Sequence, residues 1–222
     1  MKWELHAHTS HSSHCGKVDA AEVARVYAAA GYTGIVITDH YNRENVECFP
    51  GTPAEQAREW IKGYEAVKAE GEKLGLKVLF GLEARLQDCD NDYLILGAEP
   101  EMVLAHPRLN FLTLEQLHAL CGEYGALLVQ AHPNRKMCRQ ADAAALDGVE
   151  GFNGNPRHDN RNDVTLAFAA EHPHLIVTSG SDFHQMMDLA RGGVETNEKI
   201  ETSADLARCL RERRFTRIEA KD

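Results

Sequence analysis

The sequence predicts an α/β fold, a distorted (β/α)7 TIM-like barrel formed as one domain over residues 1–222. Three observations carry that expectation. Short β-like runs alternate with helical patterns almost from end to end, no Ser- or Pro-rich linker or sequence repeat divides the chain, and no Gly-rich phosphate-binding signature follows any expected strand. The third disfavours the alternative, a doubly wound open sheet around a nucleotide cofactor. Residues 3–8 read as the first strand. The following helix spans residues 19–30, with Asp19 as N-cap, Glu22 as its capping-box partner and Gly31 as the stop. Next come a strand at 34–39, a long helix at 53–74 ended by Gly75, and strands at 77–86 and 93–98. Thr113 and Gln116 form a second capping-box pattern, opening a helix that runs to Tyr124 and stops at Gly125. The pattern then repeats with strands at 126–131 and 148–152, a helix at 162–171, a strand at 175–179 and a last helix at 204–213. These make six or seven β/α units, with strands expected to run parallel.

Composition narrows the function classes. Hydrophobic residues at 43% and charged residues at 26% exclude wholesale disorder, a coiled coil and a disulfide mini-protein. The net charge of −10 argues against a long nucleic-acid footprint or an anionic membrane surface. No apolar run approaches a membrane span and Met1-Lys2-Trp3-Glu4 opens no signal-peptide core, so a cytoplasmic protein is expected. Cys15, Cys48, Cys89, Cys121, Cys138 and Cys209 never form C-x-x-C, and reduced thiols follow as the expectation. None has Arg six residues later, which excludes a cysteine-phosphatase loop. Histidine is the outlier: 12 His exceed 7 Phe and call for metal or acid-base chemistry.

In β/α barrels the chemistry sits where strands end. Here the expected ends read Glu4-Leu5-His6-Ala7-His8, Ile37-Thr38-Asp39-His40, Phe80-Gly81-Leu82-Glu83, Gly97-Ala98-Glu99, Gln130-Ala131-His132-Pro133 and Gly180-Ser181-Asp182-Phe183-His184. Each offers a ligand type for divalent metal. Residues two apart share a strand face, so His6 faces with His8 and Asp182 with His184. His40 shares its face with Val36 and Thr38 and is expected to ligate, with Asp39 supporting from behind. The set exceeds what one tetrahedral ion needs, so two or three ions sharing a carboxylate, Glu83, is the natural reading. In the loop after the first strand His14 is placed to complete the site and His11 is expected in solvent. His106, His118, His172 and His174 fall in or near helices and carry no assigned chemistry. Asp88, Asp90, Asp92 and Glu99 match four EF-hand loop positions, but Tyr93 stands where that loop needs Gly, so a solvated turn is expected there.

The combination resembles the PHP family, the polymerase and histidinol phosphatase domain. The resemblance rests on Leu5-His6-Ala7-His8-Thr9, His14, Thr38-Asp39-His40, Gly81-Leu82-Glu83, Asp92-Tyr93-Leu94-Ile95-Leu96-Gly97, Ala131-His132-Pro133-Asn134 and Gly180-Ser181-Asp182-Phe183-His184, which span nearly the whole chain. It implies a distorted seven-stranded β/α barrel and His6, His8, His14, His40, Glu83, His132, Asp182 and His184 as ligands of two or three divalent ions of the Zn, Mn or Fe type. One departure stands out: phosphatase members often carry His just after the D-Y-L-I-L-G segment, where this chain has Ala98 and Glu99. Glu99 is therefore an alternative ligand.

The function expected is metal-dependent hydrolysis of a phosphomonoester or small phosphodiester by metal-activated water. Glu83, Asp182 and His184 are the candidate catalytic residues. Arg135, Arg157 and Arg191 are candidate clamps on a small phosphorylated substrate, with His158 also near the mouth. No G-x-S-x-G elbow offers a protein nucleophile. The rivals are a metal-dependent amidohydrolase, a nuclease-type PHP protein and a non-catalytic metal-binding module. The basic stretch at 208–217 reads as a solvated helix face. Neither the ester nor the oligomeric state is legible.

Overall fold

A computed structural model describes residues 1–87 and 89–221. Its strands are β1 (Lys2–Ala7), β2 (Gly34–Ile37), β3 (His40–Tyr41), β4 (Lys77–Arg85), β5 (Asp92–Leu96), β6 (Leu127–Gln130), β7 (Gly148–Asn153), β8 (Ile176–Gly180), β9 (Gly192–Glu195) and β10 (Thr216–Glu219). The helices are α1 (Ala20–Ala29), α2 (Arg43–Val46), α3 (Pro53–Leu74), α4 (Pro100–Ala105), α5 (Leu114–Glu123), α6 (Asn162–Glu171) and α7 (Ser203–Arg211). The strand order β10-β9-β1-β2-β4-β5-β6-β7-β8 bends into a nearly closed barrel. Its seam joins the end of β1 to the segment after β8, where His8 N donates to Phe183 O at 2.9 Å and Phe183 N to His6 O at 3.1 Å.

Helix boundaries follow local chemistry. Thr52 and Glu55 close a reciprocal capping box on α3, Pro53 stands in its first turn, and Gly75 ends it in the left-handed conformation at φ 71°. Thr113 and Gln116 cap α5 in the same way. At α1, Asp19 accepts from Ala21 N, but Glu22 closes no capping box and instead pairs with Arg25 at 3.2 Å. The i,i+3 cation offers that carboxylate a partner on the same exposed face.

Two apolar layers result from strand alternation. Val78, Phe80 and Leu82 of β4 point outward into a cluster with Val23 and Tyr27 of α1, Trp60, Ile61 and Tyr64 of α3 and Leu117 of α5. Leu79 points inward with Val36, Leu94, Leu127, Val129 and Ile176, and α7 seals that interior with Leu206, Cys209 and Leu210. The candidate metal-ligand side chains occupy the remaining inward positions, toward the opposite mouth.

Strand direction departs from expectation. β5 is antiparallel to both β4 and β6, and β9 and β10 add an antiparallel extension beside β1 that the sequence pattern does not announce. The reversal of β5 exchanges its ends: Asp92 pairs in register with Arg85 near Glu83, whereas Gly97, at φ 88°, turns at the far mouth against Ala207 of α7.

Candidate metal centre

The site begins with a β-bulge. Trp3 and Leu5 pack inside the barrel, Ala7 packs in the outer layer, and the β1–β2 register shifts between Glu4 and Ala7. The extra residue reverses the alternation, so His6 and His8 both aim into the mouth that Trp3 and Leu5 fill lower down. A second register shift, between Glu150 and Phe152 of β7, turns Glu150 and Asn153 toward the same mouth.

Glu83 of β4 occupies the centre. Its Oε1 lies 3.3 Å from His6 Nε2 and 3.0 Å from His132 Nε2, and its Oε2 lies 2.9 Å from His40 Nδ1 and 3.4 Å from His8 Nε2. Asp182 Oδ1 stands 3.4 Å from His6 Nε2, 3.5 Å from His8 Nε2 and 3.3 Å from His184 Nδ1. Four sets of donor atoms lie within 4.8 Å of one another: His6–Glu83–His132, His6–His8–Asp182, His8–His40–His184 and His40–Glu83–Asp92. His6 Nε2, His8 Nε2, His40 Nδ1 and Glu83 Oε2 are buried without a hydrogen-bond partner. Buried polar atoms in that condition are costly unless something else satisfies them, and nitrogen and carboxylate donors converging on shared points fit divalent cations.

Supporting contacts set the histidine tautomers. Glu150 Oε1 accepts from His6 Nδ1 at 2.9 Å, which leaves the lone pair on Nε2. The Ser13 hydroxyl donates to Asp39 Oδ1 at 2.7 Å, so it can only accept from His8 Nδ1 at 3.2 Å, with the same outcome. Asp39 also takes the backbone N–H and hydroxyl of Thr9, at 2.7 and 2.8 Å, fixing the loop after β1. Arg135 Nη2 donates to Asp182 Oδ2 at 2.6 Å and to Asn153 Oδ1 at 3.0 Å. Behind β1, Glu4 Oε1 accepts from Leu5, His6 and Ser181 N–H at 3.0, 3.0 and 2.9 Å, tying the first strand to the segment carrying Asp182. His132 and Asp182 both hold positive φ, 30° and 53°, a backbone cost that concentrates at functional sites.

Electrostatics follow from burying this many charges together. Burial opposes a charged His6, yet Glu150, Glu83 and Asp182 hold its imidazole well above the ordinary value. His132, despite burial and the Arg135 charge, rises to about 9 through Cys138 and Glu83. Burial together with the neighbouring His184 and His40 drives His8 well below. Glu83 and Asp182 overcome their own desolvation, His6 and His40 lowering the first and His6, Arg135 and His184 the second. Glu4, beyond reach of these cations, is pushed by burial up to about 7.

Two expected ligands fall elsewhere. His14 is exposed and joins none of the four donor sets; its backbone N–H is held by Asn45 Oδ1 at 2.7 Å. Glu99 is exposed at the start of α4, because the reversed β5 carries its C-terminal end away from the metal mouth. The acid that β5 does bring to the mouth is Asp92, whose Oδ2 is 3.9 Å from His132 Nε2. Asp88 lies outside the described residues. Of the arginines, Arg135 holds Asp182, Arg157 binds Asp188 at 3.1 Å, and Arg191 Nε donates to Gly154 O at 2.8 Å. Asp188 in turn accepts the His184 and Gln185 N–H groups, each at 3.1 Å, so Arg157 braces the His184 turn. His158 is an exposed loop residue within electrostatic reach of Arg135, Asp182 and His132. Sequence reasoning assigned no role to Glu150, Glu4 or Asp92; all three carry a signal, as acids in strands, and needed register to give it meaning.

A barrel with clustered His, Glu and Asp donors able to hold metal at one mouth is the architecture of a metal-dependent hydrolase class. The PHP domain family model matches residues 4–215, and the chain belongs to that family. Among solved structures it resembles a two-domain Bacteroides vulgatus protein containing a predicted PHP-like metal-dependent phosphoesterase, at TM-score 0.72 and 16% identity, covering 99% of this chain and 65% of that one. It therefore spans less than two thirds of that relative. PsfC from Pseudomonas syringae PB-5123 aligns at TM-score 0.71 and 18% identity, over 99% of this chain and 91% of that one. An amidohydrolase from Chromobacterium violaceum, solved with bound sulfate and no metal, aligns at TM-score 0.58 and 18% identity, over 98% of each chain. At these identities the structures share the fold. No curated protein sequence matches. Among the described residues, no helix is long and apolar enough to cross a membrane.

Proposed function

We propose that this protein hydrolyses a phosphomonoester or small phosphodiester at a two- or three-metal centre held by His6, His8, His40, Glu83, His132, Asp182 and His184, with Asp92 at its edge. The observation that carries the reading is the bridging geometry of Glu83, one oxygen facing His6 and His132 and the other facing His8 and His40, with Oε2 and three imidazole nitrogens lacking any other partner. When bound, clustered divalent ions supply an acidified water and neutralise charge developing on the ester. Glu83 would be the carboxylate that holds them, its two oxygens facing different pairs of histidines. Asp182, locked by Arg135 and Asn155, presents its Oδ1 edge to the mouth. His184 Nδ1 donates to the Asp182 carbonyl at 2.9 Å, which leaves Nε2 as the ligand atom. Arg135 acts through Asp182, and His158 is the side chain placed to meet substrate from the rim. A protein carrying −10 can still take an anion there, because bound ions dominate the local field.

The test is metal analysis of the purified protein together with hydrolysis of 4-nitrophenyl phosphate, bis-4-nitrophenyl phosphate and an N-acyl amide series, with Zn²⁺ or Mn²⁺ added and after chelation. Two or three ions per chain with chelator-sensitive cleavage of a phosphate ester supports the proposal. Bound metal with amide cleavage alone moves the assignment to an amidohydrolase, and failure to bind metal after reconstitution overturns the ligand set.

A further inference from the structure

One carboxylate at the metal mouth already has a cation of the chain's own. Asp92, the first residue of β5, stands in register opposite Arg85, the last of β4, and antiparallel pairing puts the two side chains on one face. Arg85 Nε donates to Asp92 Oδ1 at 2.8 Å and Arg85 Nη2 donates to Oδ2 at 2.6 Å, a bidentate contact with a carboxylate that is 2% exposed. The same carboxylate belongs, with His40 and Glu83, to one of the four donor sets. His40 and Glu83 also belong to other sets, so Asp92 is the donor particular to this one. Asp182 makes the contrast. Arg135 reaches it at Oδ2, at 2.6 Å, and Oδ1 is left facing His6, His8 and His184. Asp92 instead gives one oxygen to each arm of the guanidinium. The orphaned buried atoms agree: His6 Nε2, His8 Nε2, His40 Nδ1 and Glu83 Oε2 lack a hydrogen-bond partner, and neither oxygen of Asp92 is among them.

We infer that Arg85 takes the place of a third cation: its guanidinium neutralises Asp92, and the centre of this chain holds two divalent ions rather than three. The inference rests on the multinuclear reading above and deepens it by fixing the count. A neutral imidazole has one lone pair, so without sharing the histidines serve two positions, His6–Glu83–His132 and His8–His40–His184. The set His6–His8–Asp182 draws on imidazoles that those two already use. A third ion therefore needs a carboxylate of its own. Asp92 is that carboxylate, and a guanidinium fixed on both its oxygens opposes the approach of a further double charge. Arginine keeps its proton in proteins, so this exclusion does not relax as pH rises.

The experiment is elemental analysis of the full chain after reconstitution with Zn²⁺ and removal of the excess, on wild type, Arg85→Met, Asp92→Asn and the double variant. Met keeps much of the apolar stem of Arg85 and removes its charge. Expected are about two ions per chain in wild type and Asp92→Asn, about three in Arg85→Met, and about two again in the double variant, which locates the added ion at Asp92. Zinc should also raise the melting temperature of Arg85→Met by more than that of wild type, because Asp92 there has only the ion as a charged partner. A count of three in wild type overturns the inference and leaves the multinuclear reading standing. So does an Arg85→Met chain that is folded by circular dichroism and still holds two ions. Should Arg85→Met not fold, the other pair decides: two ions in both wild type and Asp92→Asn support the inference, and loss of an ion in Asp92→Asn refutes it. One ion or none in wild type overturns the multinuclear reading along with it.

Discussion

Replacing Glu150 with Gln separates orientation of a ligand from ligation itself. Glu150 is 1% exposed and joins none of the donor sets, yet its Oε1 accepts from His6 Nδ1 at 2.9 Å while its Oε2 accepts from His132 N at 3.0 Å and Asn153 Nδ2 at 2.8 Å. An amide of the same shape has one oxygen for three donors. With the oxygen kept on His132 N and Asn153, the NH₂ faces His6 and forces its proton onto Nε2, the atom that must bind metal. With the amide reversed, the NH₂ meets the His132 N–H and leaves a buried donor unsatisfied, costing about 1–3 kcal/mol of stability. Lost support behind a metal-bound histidine lowers affinity about 10–100-fold, or about 1.4–2.7 kcal/mol. The assay is zinc competition against a calibrated chelator, with thermal unfolding of the metal-free protein alongside. Wild-type zinc affinity together with a wild-type melting temperature would refute the role assigned to Glu150.

Three further outcomes follow from the same geometry. Glu83→Gln removes the charge shared by four histidines and is expected to lower metal content per chain and reduce ester turnover by about 100-fold or more, read by metal analysis and initial rates; full occupancy with unimpaired turnover would refute the bridge. Metal uptake should release protons, since His132, held up to about 9, carries one at neutral pH that must leave before Nε2 can ligate. Apparent affinity therefore rises as pH increases toward 9, and calorimetry in buffers of different ionisation enthalpy checks this, an enthalpy independent of buffer counting against it. Gly63→Ala in α3 should be destabilising by about 1–3 kcal/mol although Ala is the better helix former, because the new Cβ would stand 2.3 Å from Ser12 Oγ and 2.7 Å from Thr9 Oγ1. Urea denaturation measures the loss, and the same variant should bind zinc more weakly, since that loop carries Ser13 behind His8.

Much of this molecule is local chemistry and is legible without coordinates. The capping boxes of α3 and α5 appear where Thr-x-x-Glu and Thr-x-x-Gln stand, because an N-cap needs only its own next three residues. His6 with His8, His40, Glu83, His132 and Asp182 with His184 stand out in the sequence as strand-end donors, and the barrel brings all seven to one mouth. The family resemblance read from those motifs agrees with the match over residues 4–215.

What the chain by itself determined is which donor types exist and the period at which they recur; direction, register and loop phase came only from the tertiary structure. Residues 92–96 carry the same alternation whether they run parallel or antiparallel, and pairing with β4 and β6 chose the antiparallel course that exchanged Glu99 for Asp92. Bulges in β1 and β7 decided that His6 and Glu150 meet, an outcome of long-range pairing that no window of a few residues contains. His14 directly follows Ser13, which supports His8 from behind, yet it stays exposed outside the donor sets, its backbone N–H held by Asn45, 31 residues further along the chain. A ligand type is a property of one side chain, whereas its aim is set by backbone contacts made with residues far away in the chain.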